Sequence, residues 1–284
     1  MTISGNELSG SIPVEFANMT KLSSLFLSSN NLTGGIPVEL ANMTNLGYLL
    51  LSHNDLSGSI PLELTTMHNL RSLSLGSNQL TGGIPVEFAN MSNLTSLSLD
   101  SNQLSGGIPV ELASLANLAS LDLGANPLGG SIPVEFGNLT NLFSVYLDSC
   151  NLSGGIPREL GNLPKLIALN LSNNPLGGSI PAELGKLLNL KYLRLPATQL
   201  TGAEPGALGP LVSLQTLSLK DNGMSQSAVT AIIDEIYRAR EGYDNLEDKT
   251  LSIGGTNAAP DAIAITQINE LEASYRWSIT CTGC

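Results

Sequence analysis

The chain has 284 residues, of which 42% are hydrophobic and 13% are charged, and its formal net charge is −12. This apolar content excludes a long disordered chain, and no apolar run reaches the roughly 18 residues that cross a bilayer. We therefore expect no transmembrane segment. Because an acidic protein lacks the basic patch that nucleic-acid binders carry, we also expect no nucleic-acid partner.

A fixed period of 24 residues runs through the chain as far as Asn222. The copies open with the pattern L-x-x-L-x-L-x-x-N, as in residues 22–30, with Val145 for a leucine and Cys150 and Thr198 for the asparagine as the exceptions. An Ile-Pro pair and then a glutamate continue the pattern as far as Ile180-Pro181 and Glu183. Nine copies keep this register, and Met1, Ile3 and Asn6 fit the end of an earlier, incomplete copy. Because one coil cannot bury its own apolar side, the copies are expected to stack.

The x-L-x-L-x stretch of each copy predicts a short β-strand, with side chains alternating between inside and outside. In the first full copy Leu25 and Leu27 point inward, whereas Ser24 and Phe26 point outward. The asparagine that follows, here Asn30, is expected to bend the chain and to bond backbone groups of neighbouring coils. The prolines fix φ on the return, which predicts an irregular or short helical segment there.

This pattern resembles the leucine-rich repeat. The form L-x-x-L-x-L-x-x-N-x-L-x-G-x-I-P-x-E-L, at residues 46–64, is similar to the repeats of plant receptor-kinase ectodomains and polygalacturonase inhibitors. The resemblance implies an α/β solenoid, a right-handed superhelix with one parallel sheet on its concave side and an irregular or 3-10 convex side. It covers residues 1–222, about ten repeats of which the first is truncated.

Two columns of the repeat carry residue types that have their own chemistry. Cys150 replaces an asparagine, and we expect it to be a small buried substitute. The glutamate after each Ile-Pro pair forms a stripe on the convex side, which we interpret as solvated rather than as a cation site. Its members are Glu15, Glu39, Glu63, Glu87, Glu111, Glu135, Glu159 and Glu183.

Residues 223–284 lose the period and are expected to cap the open end of the stack. Apolar spacing of i, i+3, i+4 and i+7 from Val229 predicts a helix over 227–240, with Gly242 just after its end. A second helix is expected over 261–274, with the only tryptophan buried in this segment. The tail loosely resembles segments that follow the repeats in some bacterial leucine-rich-repeat proteins.

The beginning of the chain shows neither the basic region nor the apolar segment of a signal peptide. We expect Met1 to Gly5 to form a strand with an uncovered edge, and therefore expect the chain to lack its natural beginning. The resemblance implies an extracellular or cell-surface location, and a cytoplasmic location is the alternative because the sequence shows no signal peptide.

No catalytic constellation emerges from the sequence. Only two histidines occur, His53 and His68, and they are expected on different sides of a coil. Metalloprotease, P-loop and serine-hydrolase motifs are missing. Three alternatives remain for Cys281 and Cys284: a small disulfide, a metal site shared with a partner chain, or two free thiols. We therefore expect no enzyme activity, no cofactor and no metal.

The outward strand residues are the candidate binding surface, because stacked strands form a long rigid platform. Asp100, Asp122 and Asp148 lie on three successive copies around Tyr146. We expect them to select a cationic ligand group, with simply solvated carboxylates as the alternative. The candidate ligand-binding residues are Phe26, Tyr48, Leu50, Asp100, Asp122, Tyr146, Asp148, Tyr192 and Arg194.

The sequence therefore predicts a non-enzymatic recognition module that reads a protein, peptide or glycan partner with its concave face. The alternative is a structural or adhesive cell-surface repeat protein whose concave face is largely inert. Aromatic residues sequestered on that face favour the first hypothesis, whereas a uniformly small and polar face favours the second.

Overall fold

The computed structural model describes residues 1–240 and 248–283. The chain forms two compact units, Met1–Leu142 and Phe143–Cys284. The boundary expected at residue 222, where the sequence period ends, stays a prediction. Gly242 and Cys284, which were given roles above, lie outside the described residues.

In the first unit the leucine-rich stretches form a parallel sheet, because every copy adds one strand in the same direction. Leu25 pairs with Leu49, Leu73 pairs with Leu97, and all four side chains are fully buried. The strands are Ser24–Phe26, Tyr48–Leu50, Ser72–Ser74, Ser96–Ser98 and Ser120–Asp122. The predicted strands and the α/β solenoid are thus confirmed.

The first unit also contains a second, short parallel sheet, which the sequence analysis did not predict. Its strands are Ser9–Ser11, Asn31–Gly34, Asp55–Ser59, Gln79–Gly82 and Gln103–Leu104. The alternation rule missed them because Ser9–Ser11 buries no leucine and the other four strands bury a single leucine each, Leu32 in the second strand. That strand ends at Gly34, whose φ of 77° lies in the left-handed region that glycine tolerates.

Short 3-10 helices form the return of each coil, as the proline track predicts. Pro37 precedes one of them with φ −64° and ψ 130°, an extended conformation that directs the chain into the helix. The first unit contains Val14–Asn18, Val38–Asn42, Leu62–Thr66, Val86–Asn90, Val110–Ser114 and Val134–Asn138. The second unit contains Arg158–Asn162 and Ala182–Lys186.

A ladder of buried asparagines connects the coils, which confirms the predicted role of this column. The Nδ2 of Asn54 donates to the backbone carbonyls of Leu27 and Leu51, at 3.1 and 3.0 Å. Its Oδ1 accepts the backbone N–H of Leu32 at 3.0 Å. The other members are Asn30, Asn78, Asn102, Asn126, Asn174 and Asn222.

A second asparagine ladder lies on the surface, just before the first leucine of six of the nine copies. The Nδ2 of Asn45 donates to the carbonyl of Thr20 on the preceding coil at 2.8 Å. The other members are Asn69, Asn93, Asn117 and Asn141 in the first unit and Asn189 in the second. Sequence analysis missed this ladder because an exposed amide looks like any solvated polar residue.

In the second unit the parallel sheet contains strands from the non-repetitive tail. Its strands are Ser144–Tyr146, Ala168–Asn170, Tyr192–Arg194, Thr216–Ser218, Lys249–Ser252 and Trp277–Thr280. A separate two-stranded sheet pairs Ser179–Ile180 with Gly202–Ala203. Asn257 extends the buried ladder into the tail, because its Nδ2 donates to the Leu219 carbonyl at 2.8 Å. The tail thus repeats the coil architecture without repeating the sequence.

In the described residues after the last repeat, 223–240 and 248–283, the chain forms two α-helices, α1 at Gln226–Arg238 and α2 at Ala262–Ser274. Ser225 and Asp261 cap them, each accepting a backbone N–H of the first turn. The prediction that α1 ends near residue 240 was wrong by two residues, since the helix stops at Arg238. Trp277 is 4% exposed, which confirms its predicted burial.

Candidate binding face

We call the exposed side of the long parallel sheet in each unit the strand face. In the first unit it begins with apolar side chains. Phe26 and Leu50 are register partners on neighbouring strands, and both are half-buried. Tyr48 lies on the same strand as Leu50 and is 42% exposed. The structure therefore brings these three predicted residues together.

Two of the predicted aspartates lie further along the strand face of the first unit. The hydroxyl of Ser98 donates to Asp100 Oδ1 at 2.7 Å, and the Asp122 Oδ1 accepts the backbone N–H of Gly124 at 3.1 Å. The Asp100 carboxylate also lies over Gly76 of the preceding coil, in space that a Cβ would occupy. Because an ionised carboxylate has about four acceptor positions, both groups can still receive a ligand donor.

A cleft of about 170 Å³ opens on the strand face of the second unit. Tyr146, Asn170 and Arg194 form one row across three neighbouring strands. Ala168 and Tyr192 pair in the adjacent row, and the small Ala168 side chain leaves room between the two tyrosines. Three predicted residues, Tyr146, Tyr192 and Arg194, therefore line one cavity.

The polar groups of this cleft are held in place by neighbouring side chains. The Nδ2 of Asn170 donates to Asp148 Oδ1 at 2.8 Å, and its Oδ1 accepts the backbone N–H of Ser172 at 3.2 Å. The predicted Asp148 is thus linked to the cleft through Asn170. Arg194 is exposed at the rim, where its guanidinium can donate to a carbonyl or carboxylate.

Sequence analysis missed two residues of the cleft, Ala168 and Asn170. It searched the outward positions for large and charged side chains, and neither residue fits that description. The available signal was the contrast between a small residue and the tyrosines one copy before and one copy after it, Tyr146 and Tyr192. A cavity needs a small floor as well as large walls.

Larger cavities lie beside α1, and their charged groups already have partners within the chain. One cavity of about 440 Å³ is lined by Ala203, Ile232 and Glu235, among others. The Glu235 Oε1 accepts the backbone N–H of Gly209 at 2.8 Å. In the same wall Arg238 forms an ion pair with Asp234 at 2.9 Å. The Glu235 contact attaches the helix to the last repeats, whereas the Arg238–Asp234 pair lies within the helix, and together they account for these charges without a ligand.

The cysteines differ in state. Cys150 is free and fully buried, which confirms the prediction that it replaces an asparagine of the buried ladder. Cys281 is disulfide-bonded. Within residues 1–240 and 248–283, no three His, Cys, Asp or Glu side chains converge into a group able to hold a metal ion.

Two models of the leucine-rich repeat match the sequence. The first matches residues 1–56 and 63–104, and the second matches residues 117–139, 141–163 and 165–187. The chain belongs to the leucine-rich-repeat family. No curated protein matches this leucine-rich-repeat chain.

Solved structures show the same fold. The leucine-rich-repeat chain is similar to a TDR receptor, with 31% identity and a TM-score of 0.82 over 90% of this chain and 42% of the receptor. It is also similar to the plant peptide hormone receptor RGFR1 in complex with RGF2, with 33% identity and a TM-score of 0.77 over 89% and 44% of the two chains. The chain thus spans less than half of either receptor.

A third similar structure is a plant ice-binding protein, with 29% identity and a TM-score of 0.70. The match covers 79% of the leucine-rich-repeat chain and 73% of that protein. None of the helices in the described part of the chain is long and apolar enough to span a membrane.

Proposed function

We propose that the chain is a non-enzymatic recognition module that binds an extended peptide or protein segment on its strand face. The observation that carries this proposal is the cleft between Tyr146 and Tyr192. Its volume of about 170 Å³ suits one side chain, because sites for whole small molecules usually measure about 300–1,000 Å³. The likeness to a receptor described as a peptide hormone receptor supports the same function.

The chemistry of the cleft defines what it accepts. The two tyrosine rings offer flat apolar walls, and Arg194 and Asn170 offer hydrogen-bond groups at the rim and floor. An aromatic or branched apolar side chain fits between the walls, and a carbonyl or carboxylate beside it fits the guanidinium. A glycan is favoured less, because only Asn170 among these side chains has a fixed orientation shown by hydrogen bonds.

We propose an extracellular location for this module. Two of the similar structures are receptors, and Cys281 is disulfide-bonded, a state that persists mainly in oxidising compartments.

A displayed library of random peptides tests the binding proposal. Peptides selected on the full chain should lose at least about tenfold in affinity for Ala168→Leu, which fills the cleft, and for Arg194→Gln. The matched control is Ser218→Leu, which places the same leucine side chain at an outward position beside the cleft and should leave affinity unchanged. Equal binding to all variants would refute the proposed site.

Ice binding is a second candidate function, favoured by one specific observation. The short sheet of the first unit presents hydroxyl side chains at 24-residue intervals, and a regular array of hydroxyls on a rigid sheet can order water. These side chains are Ser9, Thr33, Ser57 and Thr81, and Ser105 continues the row directly after the last strand. Inhibition of ice recrystallisation by the wild-type chain, abolished in Thr33→Lys/Thr81→Lys, would support this function, and no inhibition would exclude it.

A further inference from the structure

The 3-10 helices of the first unit carry two parallel rows of exposed side chains. One row is apolar, and its six members are 44–50% exposed, a large fraction for such residues. The members are Val14, Val38, Leu62, Val86, Val110 and Val134. The glutamate directly after each member forms the second row, in which all but the half-buried Glu87 are exposed. We call these two rows the return ridge.

The apolar row has no role in the core. Each helix buries a different residue against the stack, Leu40 in Val38–Asn42 and Phe88 in Val86–Asn90. Solvent exposure alone does not account for valine or leucine at six successive equivalent positions, because exposed apolar area is unfavourable in water. Contiguous apolar patches of this kind mark interaction surfaces.

The surface asparagine ladder holds the return ridge rigid. It anchors the chain a few residues after five of the six helices, all but Val14–Asn18, and Asn69 Nδ2, for example, donates to the Thr44 carbonyl of the preceding coil at 2.8 Å. A rigid surface loses little conformational entropy when a partner binds.

The second unit shows which chemistry suits this surface. There the apolar position is occupied by Arg158, whose Nη1 lies 3.0 Å from Glu183 Oε1 on the next coil. The equivalent pairs of the first unit place valine or leucine where Arg158 stands. A guanidinium or ammonium group placed over the apolar row therefore reaches a carboxylate of the acidic row. In the first unit the apolar row carries no cation of its own, so we infer that a partner supplies one.

The spacing of the ridge favours a helix as the partner. Neighbouring strands lie about 4.8 Å apart, and an α-helix advances about 5.4 Å per turn. A helix lying along the ridge therefore presents about one turn to each coil. From these observations we propose that the return ridge docks a basic amphipathic α-helix of a partner protein, with its apolar stripe on the valine row and its lysines or arginines on the glutamates.

The test uses the full chain and a labelled synthetic peptide of roughly 18 residues, five helical turns, with leucines on one face and lysines on the other. Fluorescence anisotropy should show saturable binding. Affinity should fall at least about tenfold for Val38→Ser/Leu62→Ser/Val86→Ser/Val110→Ser. It should fall similarly for Glu39→Gln/Glu63→Gln/Glu87→Gln. Circular dichroism should show that both variants keep the fold, which is expected because the altered side chains are largely exposed.

Two controls separate docking on the ridge from general attraction to an acidic protein. Asp100→Asn/Asp122→Asn/Asp148→Asn removes the same charge from the strand face and should change affinity less than about twofold. A peptide with the same leucines and lysines in scrambled order should bind at least about tenfold more weakly. Equal losses from both charge variants, equal binding of the scrambled peptide, or binding of zwitterionic vesicles in place of the peptide would overturn the proposal. The cleft variant Ala168→Leu should bind the helical peptide with the affinity of the wild-type chain. A failure of the ridge proposal is therefore distinguishable from a failure of the proposed function of the strand face.

Discussion

The side-chain oxygen of Asn174 accepts the backbone N–H of Cys150 at 3.0 Å. Cys150 stands in the asparagine column, and its Sγ donates to the Asp148 carbonyl of its own coil at 3.4 Å. Asn174 binds the N–H of Leu152 as well, at 2.9 Å, and its Nδ2 donates to the Leu147 carbonyl. One amide thus satisfies the backbone of its own coil and of the coil in which asparagine is replaced.

Asn174→Ala should therefore be strongly destabilising. The substitution leaves several fully buried backbone groups without partners, and each such group costs about 1–3 kcal/mol. We expect the free energy of unfolding, measured by urea titration, to fall by about 3 kcal/mol or more. Asn189→Ala is the matched control, because it removes one exposed hydrogen bond and should cost only about 0.5–1.5 kcal/mol. Similar costs for both variants would contradict the central role of the buried ladder.

The fold was largely predictable because burial and the 24-residue period act together. Leu97 recurs in register with Leu73 and both are fully buried, so the pattern specifies the strands directly. The tail was predictable only as separate elements. Asn257 bonds Leu219 as a repeat asparagine would, yet it lies 35 residues after Asn222 and no fixed spacing reveals it.

The candidate site was predictable in its walls but not in its floor. Tyr146, Tyr192 and Arg194 are large or charged residues at outward positions, which sequence patterning identifies. The cavity itself depends on what is missing at Ala168 and on the hydrogen bond from Asn170 to Asp148. The space above Ala168 and the Asn170–Asp148 hydrogen bond both arise between neighbouring strands, and the sequence alone does not show which of their side chains are in contact.

Leu97→Ala should destabilise the chain much more than Leu62→Ala, although the chemical change is the same. Leu97 is fully buried, so its truncation leaves a cavity and should cost about 2–5 kcal/mol. Leu62 is 50% exposed on the return ridge, and its truncation should cost less than about 0.5 kcal/mol. Thermal and urea unfolding of both variants would measure the difference, and equal costs would contradict the assignment of the core.

Two glycines, Gly161 and Gly76, should respond differently to substitution by alanine. A Cβ at Gly161 would collide with the backbone carbonyl of Glu183, so Gly161→Ala should separate two coils and cost about 1–3 kcal/mol. A Cβ at Gly76 would meet only the carboxylate of Asp100, which can rotate away. Gly76→Ala should therefore change stability little but displace Asp100 from the strand face. A comparison of the two melting temperatures tests this, and a larger loss for Gly76→Ala would refute it.

Alkaline pH should weaken the contact between the two helices. Tyr237 donates to Glu270 Oε2 at 2.6 Å, and this hydrogen bond raises the pKa of Tyr237 above its ordinary value. Because the folded state holds the phenol proton more tightly, the resulting stability is complete below about pH 10 and is lost as pH rises through the higher folded pKa. Tyr237→Phe should remove this part of the alkaline decline, measured by urea unfolding between about pH 8 and 11. Tyr48→Phe, which alters an exposed phenol of the first unit, should keep the wild-type decline.

The aspartates of the strand face should act on association with a basic ligand and leave stability nearly unchanged. Asparagine keeps an oxygen that can accept from Ser98 at position 100 and from Asn170 at position 148, so Asp100→Asn/Asp122→Asn/Asp148→Asn should preserve the melting temperature. For a basic peptide recovered from the library, the association rate should fall and its salt dependence should weaken, because exposed charges are screened over about 8–10 Å at physiological ionic strength. Glu87→Gln/Glu111→Gln/Glu135→Gln removes the same charge from the return ridge and should leave this association rate unchanged. If both triple variants slow association equally in stopped-flow measurements, net charge governs the encounter and the aspartates form no recognition site.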